Sequence, residues 1–305
     1  MRASLVLVLV FALAGCGAAA APPAATVREP GCRPAEDAAS FGAGSVRVCP
    51  VGEDRRYALY EPRALGREPV PLIVALHGVG GPQATPAGTA QASRLGALAD
   101  AESVAVAYAD GNGTWSHADD AYFSALFDDV ARHRAIDPRR VYVIGWSGGG
   151  FMVHRIACRL ADRVAAVAVL QAPLRGDCRP SAPVSVLQIV GEADPVIPVA
   201  GGTLPDGTRA PKLTTAMARW RRLAACDRPT IRSDEGIFNQ LADCDGGASV
   251  DLIALEGGGH VWYGPDQPAP DNKVDATQEA WRFFAAHPKA RGQRTTSDVG
   301  GATER

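Results

Sequence analysis

Two hydrophobic rhythms alternate along the chain. Apolar runs occur at Pro71–Leu76, Val104–Tyr108, Val141–Ile144 and Val164–Leu170, and two more, Val184–Val190 and Val250–Leu255, are broken only by Ser185 and Gln188 and by Asp251. Each is short and rich in β-branched residues, as expected of a strand buried on both faces. Between them lie stretches whose apolar residues recur at helical spacing. In 119–133 these are Tyr122, Leu126, Phe127 and Val130; in 151–161 they are Met152, Val153, Ile156, Ala157 and Leu160. Further helices are expected over 90–101, 212–224 and 275–286. Ahead of this series, Ser45–Cys49 and Arg55–Tyr60 flank the turn residues Gly52-Glu53-Asp54 and predict an antiparallel hairpin. Strands alternating with helices predict an α/β fold: a mostly parallel central sheet with helices on both faces.

The two ends of the chain depart from this pattern. Arg2 precedes an apolar stretch, Leu5–Leu13, too short to span a bilayer. Leu13-Ala14-Gly15-Cys16 then reads as a lipobox, so residues 1–16 are expected to be a signal peptide with Cys16 as the lipidation site. Cleavage among the following alanines, as in a plain signal peptide, is the alternative. The Ala/Pro-rich residues 17–30 read as a flexible tether, and residues 288–305 as a disordered polar tail. That leaves 31–287 as one catalytic domain. The expected location is outside the cytoplasm, either membrane-anchored or extracellular.

The chain has 305 residues and a formal charge of −2, and no Lys/Arg run gives it a footprint for nucleic acid. Setting Cys16 aside, six cysteines remain: Cys32, Cys49, Cys158, Cys178, Cys226 and Cys244. In an exported protein an even number predicts disulfides, and neighbour pairing is the simplest choice: 32–49, 158–178 and 226–244. No C-x-x-C or H-E-x-x-H spacing suggests a metal.

Candidate chemistry enters at Gly145-Trp146-Ser147-Gly148-Gly149, a G-x-S-x-G motif. The motif alone carries little weight, but here a buried strand precedes it and an amphipathic helix follows. This is the setting of a nucleophile elbow, in which a sharp turn exposes the serine, so the fold is expected to be that of an α/β-hydrolase with Ser147 as nucleophile. A serine hydroxyl needs a base, and the base needs an acid to hold its tautomer. In this fold they follow in the order acid, then histidine. Asp194 lies just past the 184–190 strand, with Glu192 as its rival. His260 lies just past the 250–255 strand, whereas His117, His133, His154 and His287 fit ordinary surface or core positions. Two backbone N–H groups should form the oxyanion hole: that of Gly148, and one from the loop after 71–76, assigned to Val79 with Gly78 as its neighbour. His77 is expected to hold that loop by hydrogen bonds.

With these residues in hand, the chain resembles the secreted polyhydroxybutyrate depolymerase and feruloyl/acetylxylan esterase group of α/β-hydrolases. The resemblance is carried by Leu76-His77-Gly78, by Trp115 with Asp119-Asp120, by the 145–149 motif, by Gly191-Glu192-Ala193-Asp194-Pro195-Val196-Ile197-Pro198, and by Gly257-Gly258-Gly259-His260-Val261-Trp262-Tyr263-Gly264. It implies the triad Ser147–Asp194–His260, no cofactor, and the bridges 158–178 and 226–244; the 32–49 bridge rests on proximity alone. Val79 stands where many depolymerases carry a cysteine, and no appended polyester- or carbohydrate-binding module is expected. Trp115, Trp146 and Trp262 are candidates for the substrate pocket. The expected reaction is hydrolysis of a small ester, polyester oligomer or acylated carbohydrate through an acyl-serine. The same triad would also serve an envelope acyltransferase. A non-catalytic ligand-binding lipoprotein would have no need of all three residues.

Overall fold

The computed structural model describes residues 31–81 and 83–290. The expectations for a signal peptide, for lipidation of Cys16 and for the tether lie outside the described residues, as does most of the expected tail. Strands β1 (Arg33–Pro34), β2 (Ser45–Val51) and β3 (Arg55–Glu61) lead to β4 (Val70–Leu76), after which helices α1 (Pro86–Ser93) and α2 (Leu95–Glu102) precede β5 (Ala105–Asp110). Helix α3 (Asp119–His133), β6 (Ile136–Trp146), α4 (Gly148–Arg159), β7 (Ala166–Leu170) and β8 (Ser185–Gly191) follow. A small hairpin, β9 (Gly202–Thr203) with β10 (Arg209–Ala210), comes before α5 (Leu213–Leu223). The chain closes with β11 (Thr230–Asp234), β12 (Ile237–Leu241), β13 (Val250–Leu255) and α6 (Ala276–Ala286).

All strands except β9 and β10 join one sheet in the order β1-β2-β3-β5-β4-β6-β7-β8-β13-β12-β11. From β5 to β13 the neighbours run parallel. Both flanks are antiparallel, so the sheet is mixed, with a parallel centre. The β11–β12 hairpin has no counterpart among the sequence expectations because β11 is exposed throughout and β12 is only partly buried, which leaves no apolar alternation to read. Its turn residues Glu235 and Gly236 both have positive φ, as a two-residue hairpin turn requires.

Alternation within the apolar runs feeds two cores. Leu72, Val74 and Leu76 of β4 pack with α3, α4 and α5, whereas Ile73 and Ala75 face α1, α2 and α6. Such strands read as continuous runs because both faces are covered. The single helix expected over 90–101 is two helices, divided at Arg94, whose left-handed φ of 55° neither helix can contain. Disulfides join Cys32 to Cys49, Cys158 to Cys178 and Cys226 to Cys244.

The catalytic domain does not stop at 287. Lys289 is buried, and its ammonium donates to the carbonyls of Ala161 (2.8 Å), Asp162 (2.6 Å) and Val164 (3.3 Å), just beyond the C-terminal end of α4. Its backbone pairs with Arg139. Desolvation lowers its pKa to about 8, with the nearby Asp162 opposing the shift. Lys289, expected to lie in the tail, is thus part of the folded domain; a polar composition gives no sign of a lysine satisfied by three carbonyls.

A second buried polar group links α4 to its surroundings. The Nε2 of His154 lies 2.9 Å from the Ala172 carbonyl, and its Nδ1 accepts from the Trp220 indole at 3.1 Å. The ring is therefore neutral. Desolvation pushes its pKa down from 6.5 to about 4, against smaller pulls from the Ala172 and Gln188 hydrogen bonds. The unfolded chain takes up this proton below about 6.5 and the folded chain only below about 4, so the stability tied to the neutral ring is complete above 6.5 and is lost as pH falls towards 4. Between pH 7 and 4.5, denaturant unfolding should show the native chain losing about 2–3 kcal/mol more than a His154→Gln variant. Equal losses would show that this histidine is not the acid-sensitive group.

Candidate active site

Connections from the central strand set the position of the site. From β4 the chain crosses to β5 on one side, then returns through α3 to β6 on the other. The loops leaving β4 and β6 therefore part above neighbouring strands, and open parallel sheets bind ligands in such a crevice. Leu76 pairs with Gly145, which brings the His77-Gly78-Val79 loop beside Ser147.

Ser147 occupies the corner between β6 and α4 with φ 57° and ψ −121°. For a residue with a side chain this conformation costs on the order of 1–3 kcal/mol, and it persists only where the surroundings impose it. The Ser147 N–H donates to the Leu170 carbonyl of β7 (2.9 Å), and its own carbonyl accepts from Phe151 (3.2 Å). Close packing does the rest. A Cβ on Gly149 would fall 2.7 Å from the Leu76 carbonyl oxygen, and one on Gly145 would fall 2.8 Å from the Gly149 carbonyl. Only glycines allow the corner to be this tight.

The other two residues of the expected triad meet this serine. His260 Nε2 lies 2.9 Å from the Ser147 hydroxyl, and His260 Nδ1 lies 2.7 Å from Asp194 Oδ2. The second oxygen of Asp194 accepts from the Val196 and Ile197 N–H groups at 2.7 and 2.8 Å. Asp194 is thus buried with both oxygens satisfied, whereas Glu192, the rival acid, is exposed. With Nδ1–H directed at the carboxylate, Nε2 is free to accept the serine proton. The arrangement can generate a serine nucleophile and stabilise the imidazolium that results.

Gly148 opens α4, so its N–H has no partner within the helix. A Cβ placed on it would lie 3.3 Å from the Val79 nitrogen, so the two expected donors stand side by side. Among the described residues the Val79 N–H has no hydrogen-bond acceptor. His77 holds this loop, as expected. The Gly111 N–H donates to its Nε2 (2.9 Å), its carbonyl receives the Trp115 indole N–H (2.8 Å), and its ring lies against that indole. Burial lowers the pKa of His77, against an opposing hydrogen bond to the Gly78 carbonyl, which keeps the ring neutral.

Beside Ser147 opens a cleft of about 910 Å³, walled by Val79, Trp115, His117, Phe151 and the 196–209 segment. Of the three tryptophans proposed for the pocket, Trp115 lines it. Trp146 instead packs its ring 5.1 Å from His260, below the Gly78 loop. Trp262 does not reach the cleft: it is buried in the core, its indole donating to Thr277 Oγ1 at 2.9 Å. Its place next to the histidine in sequence concealed that its side chain turns towards α6.

Gln171 is a further residue of the site. This residue is buried at the end of β7, with φ 59°, directly after the carbonyl that receives the Ser147 N–H. Its amide oxygen accepts from the Gly191 N–H (3.1 Å), and its amide nitrogen donates to the Gly259 carbonyl (3.0 Å). One side chain thus joins the loop that carries Asp194 to the loop that carries His260. Tyr263 and Asp271 support the same glycine: the Tyr263 hydroxyl donates to the Gly259 carbonyl (2.8 Å), and Asp271 accepts from its N–H (2.9 Å). A lone glutamine after an apolar run gives no signal of this. Among the described residues, Cys32, Cys49, Asp129 and His133 place potential metal-binding atoms within 4.8 Å of one another, but the two sulfurs form a disulfide and offer no thiolate.

No protein-family model matches the chain. It is 31% identical to "Putative esterase NocK" of Nocardia uniformis subsp. tsuyamanensis, over 90% of this chain and 93% of that protein. It is 28% identical to "Probable feruloyl esterase C" of Aspergillus flavus, over 76% of this chain and 84% of the relative. Among solved structures, the acetyl xylan esterase from Aspergillus awamori superposes with a TM-score of 0.56 at 14% identity, covering 84% of this chain and 100% of that one. That structure has the α/β-hydrolase fold described above.

If Gln171 positions the two loops, Gln171→Leu should lower kcat by about 10- to 100-fold while the chain stays folded, since small misplacements of reacting groups carry losses of this size. Gln171→Glu keeps the acceptor for Gly191 but sets a carboxylate against the Gly259 carbonyl. It should shift the acidic limb of the kcat/KM–pH profile, a change that a purely structural role would not produce.

Proposed function

The chain is an esterase of the family to which NocK belongs, and we propose that it hydrolyses carboxylic esters through a covalent acyl-Ser147 intermediate. The observation that carries this reading is the unbroken row from the Ser147 hydroxyl to His260 (2.9 Å) and on to Asp194 (2.7 Å). In this mechanism His260 takes the serine proton as the hydroxyl attacks the ester carbonyl. The tetrahedral oxyanion is stabilised by the Val79 and Gly148 N–H groups, at the positive end of α4. His260 then protonates the leaving alcohol, and Asp194 holds the imidazole in the required tautomer throughout. Water, activated by the same histidine, releases the acid.

Feruloyl and acetylated carbohydrates are the substrate types we propose first, because related proteins carry feruloyl esterase and acetylxylan esterase names. A cleft that joins Trp115 and Phe151 to an open polar rim suits an aromatic or short acyl group on a sugar alcohol. Polyhydroxybutyrate-type oligomers are a further candidate. We place the enzyme outside the cytoplasm, in keeping with its disulfides, and anchored through Cys16.

Two tests address the mechanism. With p-nitrophenyl butyrate and methyl ferulate, Ser147→Ala should lower kcat by about four orders of magnitude and abolish labelling by a fluorophosphonate. A variant retaining native turnover would exclude Ser147 as the nucleophile. Val79→Pro removes one proposed oxyanion donor and should lower kcat by about 10²- to 10³-fold with little change in KM. Undiminished turnover would move that role to another donor.

A further inference from the structure

Next to the ester cleft lies a second cavity, of about 470 Å³. Arg175, Arg209, Lys212 and Arg219 all line it, and no carboxylate does. This concentration of cations stands out in a chain whose formal charge is −2. Arg175 and Arg209 also line the cleft that contains Ser147, so the two spaces share a wall.

Two of these guanidinium groups are fixed in place. Arg175 lies over the Phe151 ring, 3.8 Å from its centroid, and donates to Thr208 Oγ1 at 2.8 Å. Arg219 donates to the Gly176 carbonyl. Phe151 is the residue whose N–H caps the Ser147 carbonyl, so Arg175 is separated from the nucleophile by one turn of α4 and one aromatic ring. Desolvation depresses the Arg175 pKa, with Asp206 opposing, yet a guanidinium stays charged. Asp177 and Asp206 face the larger cleft, and Arg155, also there, is already paired with Asp120. Arg159 also lines that cleft and has no ion-pair partner among the described residues. The surplus of positive charge therefore lies on the side shared with the second cavity. Planar guanidinium forks held in place are the usual means of binding carboxylates.

We propose that this cavity is an anion subsite of the ester cleft, and that the preferred ester carries a carboxylate on the part of the molecule remote from the scissile bond. This rests on the ester-hydrolase reading above. The carboxylate could belong to the alcohol, as in an acylated uronic acid, or to the acyl group, as in a half-ester of a dicarboxylic acid. The recognition chemistry is the same for both.

The test compares matched pairs with the full chain. One arm uses acetylated glucuronic acid against acetylated glucose; the other uses mono-p-nitrophenyl esters of dicarboxylic acids of increasing length against their methyl-capped forms. At least one arm should show a charged-to-neutral kcat/KM ratio of about tenfold, expressed mainly in KM, because one or two partly exposed ion pairs contribute about that much. The ratio should fall towards one in Arg175→Gln/Arg209→Gln and in 0.5 M sodium chloride. A ratio of one or below in both arms, with the neutral esters cleaved, would overturn the subsite and leave the esterase reading intact. Failure to cleave any of these esters, with no fluorophosphonate labelling of Ser147, would overturn both.

Discussion

The corner at Ser147 is the constraint on which the rest of the site depends. A residue with a side chain is held at φ 57° because its N–H is bonded to β7, its carbonyl is bonded to α4, and the glycines around it permit backbone contact with the neighbouring loop. Strain of this kind cannot be stored in a loop free to relax. It requires a rigid sheet beneath, and the parallel centre, packed on both faces, supplies one. The two other loops of the site depend on that corner, since the side chain that ties them together follows directly on the Leu170 carbonyl that fixes Ser147.

Much of this was legible in the sequence. The buried strands announced themselves because residues facing two covered sides are almost all apolar, and the elbow followed from its place between such a strand and an amphipathic helix. The order of acid and histidine located Asp194 and His260, which the structure brings to Ser147. What escaped detection has a common physical character. β11 is an exposed edge strand and β12 beside it is only partly covered, so no burial pattern marks them. The division of the helix at Arg94 is a single backbone torsion. Trp262 and Trp115 are alike in sequence, and only the direction of the side chain separates a core residue from one that lines the cleft.

Buried polar groups form the other class that sequence patterns do not reveal. Gln171, His154 and Lys289 interrupt apolar surroundings, and each is fully engaged: an amide with two loops, an imidazole with a carbonyl and an indole, an ammonium with three carbonyls. A buried polar group without partners is costly, whereas one with all its partners selects a single arrangement of the segments it joins. Here those segments are the loops of the site, α4 with the chain after β7, and the end of the domain with the base of α4.

The chain between Gln171 and Cys178 is tethered at both ends by unlike means, an amide bridge under the active-site loops and a disulfide to α4. Ala172 to Leu174 are buried, with Leu174 at the edge of the cleft, and Arg175, Gly176 and Asp177 reach outward into it. Those three positions form a short arch between fixed piers. Selection, or an engineer, can exchange its residues to reshape the cleft wall while the piers keep Ser147, His260 and Asp194 in register. Chemistry and taste for substrate are thereby inherited on separate stretches of the same polypeptide.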